Sequence, residues 1–361
     1  MKKLMKAIVV LALACFALTS VAQTSKSDVM VKETAKKEKA EYTIRLAYYD
    51  AATWPAMSKN PLPEHAFALV FKSMVEANSN GKIAVELFPG NALGDTKATM
   101  EMAKSGSIEM VITTGTIASL YPQVQVIFLP YVFKSDEIAW WFFDQSQMWK
   151  DMCAELEKKT GLKMLAVGQN GTRHFTNSKR PIHSPADMKG LKFRVMQSPI
   201  YVKMVEAMGA AATPLASGEI YTAAQTGVVD GQENPIWNIA ANKWYEVQKY
   251  ITLDGHTWSE DFITINAAWF NKLPKNYQQI IKIAAYNGQI ADRAAEALAS
   301  RVLDFAAINK SMEVYVPTPA ELEQFKTAAQ PTYTWLRGEI GNEVVDRFLK
   351  TVKEGEKYFG Y

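Results

Sequence analysis

The sequence predicts an α/β protein of two lobes, with open, mostly parallel sheets flanked by helices and long helices towards the carboxyl end. Three observations carry this: a β-α-β-α-β alternation of hydrophobic period across residues 42–112, a second alternation beginning near residue 163, and roughly 320 residues rich enough in apolar side chains to build two cores of ordinary size.

In the first alternation, Ile44, Leu46 and Tyr48 recur with the period of a strand. Phe67, Val70, Phe71, Met74 and Val75 then recur with the period of a helix, which Asn80-Gly81 stops. Ile83, Val85 and Leu87 alternate again, a helix is expected over about 95–105, and a short buried strand over 108–112. In the second alternation strands are expected at 163–167, 191–195, 251–253 and 262–266, and helices at 200–208 and around 221–226. Residues 275–309 are rich in alanine and free of proline, which predicts one or two long helices; Pro317 and Pro319 precede a last helical segment.

The amino terminus places Lys2, Lys3 and Lys6 ahead of an apolar run from Ala7 to Leu18, with the small residues Ser20 and Ala22 after it. That is the pattern of an export signal, residues 1–22, cleaved after Ala22; the run is too short to span a bilayer. Leu13-Ala14-Cys15 offers the alternative of lipid attachment at Cys15. Residues 23–40 are polar and lysine-rich and read as a disordered tether. Loss of the three lysines takes the 40 basic residues to 37, level with the 37 acidic ones, and this balance argues against a nucleic-acid partner. Cys153 alone would remain, so neither an internal disulfide nor a thiolate metal site is expected.

Catalytic signatures are absent: there is no H-E-x-x-H, G-x-S-x-G, phosphate-binding P-loop or C-x-x-C. The four histidines, His65, His174, His183 and His256, lack metal-ligand spacing and read as structural. No enzyme activity, cofactor or metal is expected. In an open α/β sheet small ligands bind beyond the carboxyl ends of strands, which directs attention to residues 48–50 with Tyr49, to 113–116, to 170–173, and to 194–197 with Gln197. Leu191, Phe193 and Val195 form the apolar face of their strand, so Arg194 points the other way. Alternation alone leaves two roles for it, a solvent-facing charge or a planar fork aimed into the crevice to hold a carboxylate. Arg173 poses the same choice.

Several segments together resemble the DctP-type solute receptors of TRAP transporters. They are Phe88-Pro89-Gly90-Asn91-Ala92-Leu93-Gly94-Asp95, Leu129-Pro130-Tyr131-Val132-Phe133, Asn170-Gly171-Thr172-Arg173, Asp187-Met188-Lys189-Gly190-Leu191-Lys192-Phe193-Arg194-Val195 and Val229-Asp230-Gly231-Gln232-Glu233-Asn234-Pro235. The resemblance runs in order from about Tyr42 to Pro274. It implies a periplasmic binding protein fold whose two lobes, residues 41–168 with about 257–298 and residues 169–256 with about 299–361, close on a ligand and deliver it to membrane permease subunits. It further implies that Arg194 pairs with the ligand carboxylate, that Arg173 assists, and that Asn234 contributes a side-chain hydrogen bond, although Asn234-Pro235 also suits a helix start.

Thr96, Thr113, Thr114 and Thr116 fall where the family presents polar side chains from the first lobe. Ser217 stands where sialic-acid receptors carry an aromatic ring, which disfavours that ligand. The loop after the first strand is longer than the family's. Trp54, Trp237 and Trp258 are each candidates either to line the site or to pack in the core. The expected ligand is an organic acid: a sugar acid, dicarboxylate or aromatic acid. A ligand-presenting sensor, or an enzyme acting on an organic acid in the same crevice, are the alternatives.

Overall fold

The computed structural model describes residues 40–52 and 62–361. The expected export signal, nearly all of the expected tether, and Trp54 lie outside the described residues. The strands are β1 (Tyr42–Ala47), β2 (Ile83–Phe88), β3 (Met110–Thr113), β4 (Leu162–Asn177), β5 (Lys192–Val195), β6 (Ala211–Pro214), β7 (Gly231–Pro235), β8 (Tyr250–Asn266) and β9 (Glu313–Tyr315). The helices up to residue 272 are α1 (Pro63–Asn78), α2 (Thr96–Ser105), α3 (Asp136–Gln145), α4 (Gln147–Thr160), α5 (Pro199–Ala207), α6 (Ile220–Gln225), α7 (Ile236–Ala241) and α8 (Ala267–Lys272). Then come α9 (Lys275–Leu298), α10 (Phe305–Ser311), α11 (Pro319–Ala328), α12 (Gln330–Ile340) and α13 (Asn342–Phe359).

These strands form one sheet in the order β2-β1-β3-β8-β4-β7-β5-β6, with β9 beside β8. The outer strands are parallel, β1 with β2 and β3, and β5 with β6 and β7, as their alternation with helices requires. The centre differs from the expectation of short separate strands at 163–167, 251–253 and 262–266. Here β4 and β8, of 16 and 17 residues, run antiparallel along their whole length from Leu162↔Asn266 to Asn177↔Tyr250, so the sheet is mixed. Their middle stretches hold Gly168, Asn170, Gly171, Asp254 and Glu260, which break the apolar alternation, and the ladder crosses them with register shifts that skip Asn170 and Asp254. One end of this pair carries β3, and the other carries β7 and β9. Two half-sheets are thus joined by a two-stranded ribbon.

Helix ends follow local chemistry. The Asp95 side chain accepts a hydrogen bond from the Ala98 N–H at 2.8 Å to start α2, and Gly106, at a φ of 82°, ends it. Residues 275–309 give α9 and α10 separated by a π-helical turn, Ala299–Leu303. Around β1–β3 the core consists of Ile44, Leu46, Val85 and Ile112 against Phe67, Phe71 and Val75 of α1 and Ile281 and Ala285 of α9. Gly288 permits that approach, since a β-carbon there would lie 2.7 Å from the Phe67 ring. The largest core is aromatic: Phe142 and Phe348 meet edge to face at 5.2 Å, and Trp149 stacks on Phe262 at 5.6 Å. Each such ring contributes about 1.5–3 kcal/mol of burial. Trp258 belongs here, stacked on Phe143 at 5.5 Å and donating to Asp136 at 3.0 Å, so it packs rather than lines a site.

Candidate functional site

The ribbon, the ends of β1, β3, β5 and β7, and the starts of α1 and α2 converge on a cavity of about 590 Å³, part of it open to solvent. A bulge in β4 helps to build it. On a regular strand Asn170 and Arg173 would point to opposite faces. The ladder skips Asn170, pairing Gln169 with Glu260 and Gly171 with Ser259, and this shift lets both Asn170 and Arg173 line the cavity.

Arg173 is fully buried and its guanidinium is clamped by Glu233: Nε to Oε2 at 2.5 Å, Nη2 to Oε1 at 2.9 Å, and Nη2 to the Glu233 carbonyl at 2.5 Å. Glu233 also meets His256 Nε2 at 3.2 Å, His256 Nδ1 meets Asp254 Oδ2 at 3.0 Å, and the Tyr131 hydroxyl donates to Asp254 at 2.8 Å. Burial alone would raise the Glu233 pKa, but the charges of and hydrogen bonds from Arg173 and His256 outweigh it and hold the carboxyl down at about 2. Burial opposes the charge on His256, yet Asp254 and Glu233 push its pKa above the ordinary histidine value. Basic and acidic side chains therefore alternate along Arg173, Glu233, His256 and Asp254, each hydrogen-bonded to the next.

Arg194 stands outside that balance. It is 3% exposed, donates Nε to the Leu215 carbonyl at 3.0 Å, and forms no ion pair with a carboxylate among the described residues. Burial, aided by the like charge of Arg173, lowers its pKa to about 10, with Glu233 partly offsetting, and it stays a cation at neutral pH. A buried guanidinium without a counter-ion is costly until an anion arrives.

The opposite half supplies a wall of acids. Glu64, in the first turn of α1, accepts from the Tyr49 and Asp50 N–H groups through Oε2 at 2.7 and 2.9 Å, while Asp50 Oδ2 accepts from the Glu64 N–H at 2.9 Å. Asn170 Nδ2 donates to Asp261 at 3.1 Å, and the Gln169 N–H donates to Asp292 at 2.5 Å. Gly168 makes room, since a β-carbon there would sit 2.3 Å from Asp292 Oδ1. One oxygen each of Asp50, Asp261 and Asp292 takes no hydrogen bond among the described residues. Burial, reinforced by mutual repulsion, pushes Asp50, Glu64 and Asp292 well above the carboxylate range; burial pushes Asp261 up to about 7.

Of the residues singled out from sequence, Tyr49, Thr96, Thr114, Thr116, Arg173, Arg194, Gln197, Ser217 and Asn234 line the cavity together. Two do not. Thr113 is buried in the ladder opposite Phe262, and Trp237 is fully buried in α7, donating to the Asn170 carbonyl at 2.6 Å from beneath the site. Asn234 donates to Gln232 at 2.6 Å, within β7 and ahead of α7. The two halves touch at the mouth, where the Tyr49 hydroxyl donates to Asn238 at 3.2 Å and the Thr114 hydroxyl meets the Met196 sulfur at 3.5 Å. Glu64, Glu233 and Asn238 were not singled out. A buried strand arginine signals that an acid must face it, but which acid depends on the β4–β7 register, His174↔Asn234 and Phe175↔Glu233.

The model of bacterial extracellular solute-binding protein family 7, DctP, matches residues 56–337. The 2,3-diketo-L-gulonate-binding periplasmic protein of Escherichia coli is 31% identical over 81% of this chain and 85% of its own length. The ectoine/5-hydroxyectoine-binding periplasmic protein of Ruegeria pomeroyi is 34% identical over 73% and 78%. Among solved structures, the sugar acid binding protein of Advenella mimigardefordensis, in complex with galactonate, superposes with a TM-score of 0.81 at 30% identity, covering 88% of this chain and all of that one.

Proposed function

The chain belongs to the DctP family of bacterial extracellular solute-binding proteins and is a TRAP transporter solute receptor, and we propose that it captures a carboxylate-bearing organic acid on Arg194 and hands it to the membrane permease subunits. The observation that carries this is the buried Arg194 guanidinium, which lines the cavity without an ion-pair partner among the described residues while its neighbour Arg173 is already neutralised by Glu233. A planar fork with free donors binds a carboxylate through two parallel charge-assisted bonds. Arg173 supports it by holding the wall of the site and by its field. Asn234, Gln197, Ser217 and the hydroxyls of Tyr49, Thr96, Thr114 and Thr116 supply hydrogen bonds to the rest of the ligand.

Closure brings together two lobes, residues 41–168 with 257–298 and residues 169–256 with 299–361. Ligand favours the closed arrangement by its higher affinity for it, and exclusion of water strengthens the bonds to Arg194. Binding proceeds without turnover. Residues 1–22 direct export, with cleavage after Ala22 or lipid attachment at Cys15; no helix among the described residues is long and apolar enough to cross a membrane.

The test is a thermal-shift and calorimetric screen of the protein against sugar acids, dicarboxylates, keto acids and aromatic acids, repeated with Arg194→Met. A ligand present at 100 times its Kd stabilises by about 2.7 kcal/mol. The expected result is a hit that the variant loses by about 2–5 kcal/mol of binding energy. A hit that survives in the variant overturns the assignment of Arg194.

A further inference from the structure

The carboxylate reading accounts for one end of the cavity. The other end holds a group that reading leaves unused. We infer that Glu64 is the specificity-determining residue of the site, admitting acids whose far end carries uncharged or cationic hydrogen-bond donors and turning away acids with a second carboxylate. This rests on Arg194 holding the first carboxylate.

Glu64 lines the cavity from α1, in the half of the molecule opposite Arg194, yet is only 1% exposed. Its carboxyl is pinned by the Tyr49 and Asp50 N–H groups, so it cannot swing aside to make way for a ligand. Behind it stand Asp50, Asp261 and Asp292, each with an oxygen that takes no hydrogen bond among the described residues. No lysine or arginine pairs with any of these four acids among the described residues. The nearest guanidinium groups are committed elsewhere, Arg293 to Asp144 at 2.6 Å and Arg173 to Glu233.

A second ligand carboxylate placed here would lose its water without gaining a paired cation among the described residues, in surroundings whose burial already disfavours negative charge. A hydroxyl or an ammonium would instead donate to the carboxyl of Glu64, which of these four acids is the one that lines the cavity. The neighbouring side chains fit the same choice, because the hydroxyls of Thr96, Thr114, Thr116 and Tyr49 both give and accept hydrogen bonds and carry no positive charge. Lys97 also borders the cavity but is exposed, where water screens its charge. Asp95, the remaining acid of the lining, is occupied as the cap of α2. The raised pKa of Glu64 and its neighbours fits a wall that resists any further negative charge.

The experiment measures binding by calorimetry for acid pairs of equal chain length, gluconate against glucarate and threonate against tartrate, with 4-aminobutyrate as the ammonium-bearing probe. It uses the wild-type protein, Glu64→Gln and Arg194→Met. Wild type is expected to bind the monocarboxylate of a pair at least about tenfold more tightly than its dicarboxylate partner. Glu64→Gln, which keeps size and removes the ionisable group, should narrow that ratio to about threefold by admitting the dicarboxylate, and Arg194→Met should abolish both. The pH dependence in wild type gives a second readout should the variant fold poorly: discrimination should widen from pH 5 to pH 8 as Asp261, raised to about 7, ionises. Equal or tighter binding of the dicarboxylate, lost in Arg194→Met, overturns the role of Glu64 and leaves the carboxylate handle intact. Parallel weakening of both acids in Glu64→Gln assigns the residue to structure alone. Binding that survives in Arg194→Met removes the handle, and this inference with it.

Discussion

Two buried charged clusters flank the cavity, and they are built on opposite rules. On the β7 side, Arg173, Glu233, His256 and Asp254 alternate in sign, and each charge is met by its neighbour at 2.5 to 3.2 Å. On the α1 and α9 side, Glu64, Asp50, Asp261 and Asp292 are all acids, met among the described residues by backbone N–H groups and an asparagine amide. The first cluster can be ionised and still be cheap, because attraction repays desolvation. The second stays buried only while its carboxyls keep their protons. The difference teaches that burial does not decide what a charge does here; compensation does. Arg194 lies between them with the Leu215 carbonyl as its hydrogen-bond partner and no paired carboxylate among the described residues, and it is there that we place the proposed ligand.

Breaking the compensated cluster should have the largest effect. Glu233→Gln leaves Arg173 and Arg194 both uncompensated in one buried site, and an expected loss of about 3–5 kcal/mol should appear in urea unfolding. A loss under about 1 kcal/mol would mean that the alternating chain is not what holds the β7 side together.

Next comes relief of the like-charged cluster, with a definite sign in pH. Asp261, raised to about 7, still holds its proton in the folded protein where an unfolded chain has lost it, from about pH 4 upwards. The folded state then binds more protons, so this group's contribution to stability falls as pH climbs from about 4 through about 7. Asp261→Asn should therefore raise stability by about 2 kcal/mol at pH 8 and change little at pH 4. Melting temperatures at the two pH values check it, and a variant less stable at pH 8 would contradict the account. Glu233, held at about 2, behaves in the reverse sense: its contribution is present above about pH 4 and is lost as pH falls towards about 2. His256, raised above its ordinary value, contributes below about pH 6.5 and loses that contribution as pH rises through its folded value.

A smaller effect should come from crowding the acid wall. Gly168→Ala puts a β-carbon against the Asp292 carboxylate and should push it off the Gln169 N–H, at about 1–2 kcal/mol by urea unfolding. Smallest is Tyr49→Phe, which removes only the hydroxyl that donates to Asn238. A single such bond is worth about 1 kcal/mol, so ligand affinity should fall by about fivefold or less with stability nearly unchanged.

Much of this was readable along the chain and some was not. The strands β1, β2 and β5 and the helices α1 and α9 follow from local hydrophobic period, which needs only a few neighbours to be expressed. The family resemblance named Arg194, Arg173 and Asn234, and all three line the cavity. The full length of β4 and β8 was hidden, because its polar and glycine-rich middle carries no period and is held by partners about 90 residues away, such as Asn170 and Asp261.

What the sequence by itself determined, then, is the order of elements, the family and the arginine, since these depend on local period and contiguous motifs. Only the tertiary structure decided which charges cancel. The register of β4 on β7 gives Arg173 its acid, the fold brings Glu64 to the same wall as Asp292, and Thr113 and Trp237 turn away from the cavity. A charge is compensated or left bare by neighbours far off in sequence, and no local pattern records them.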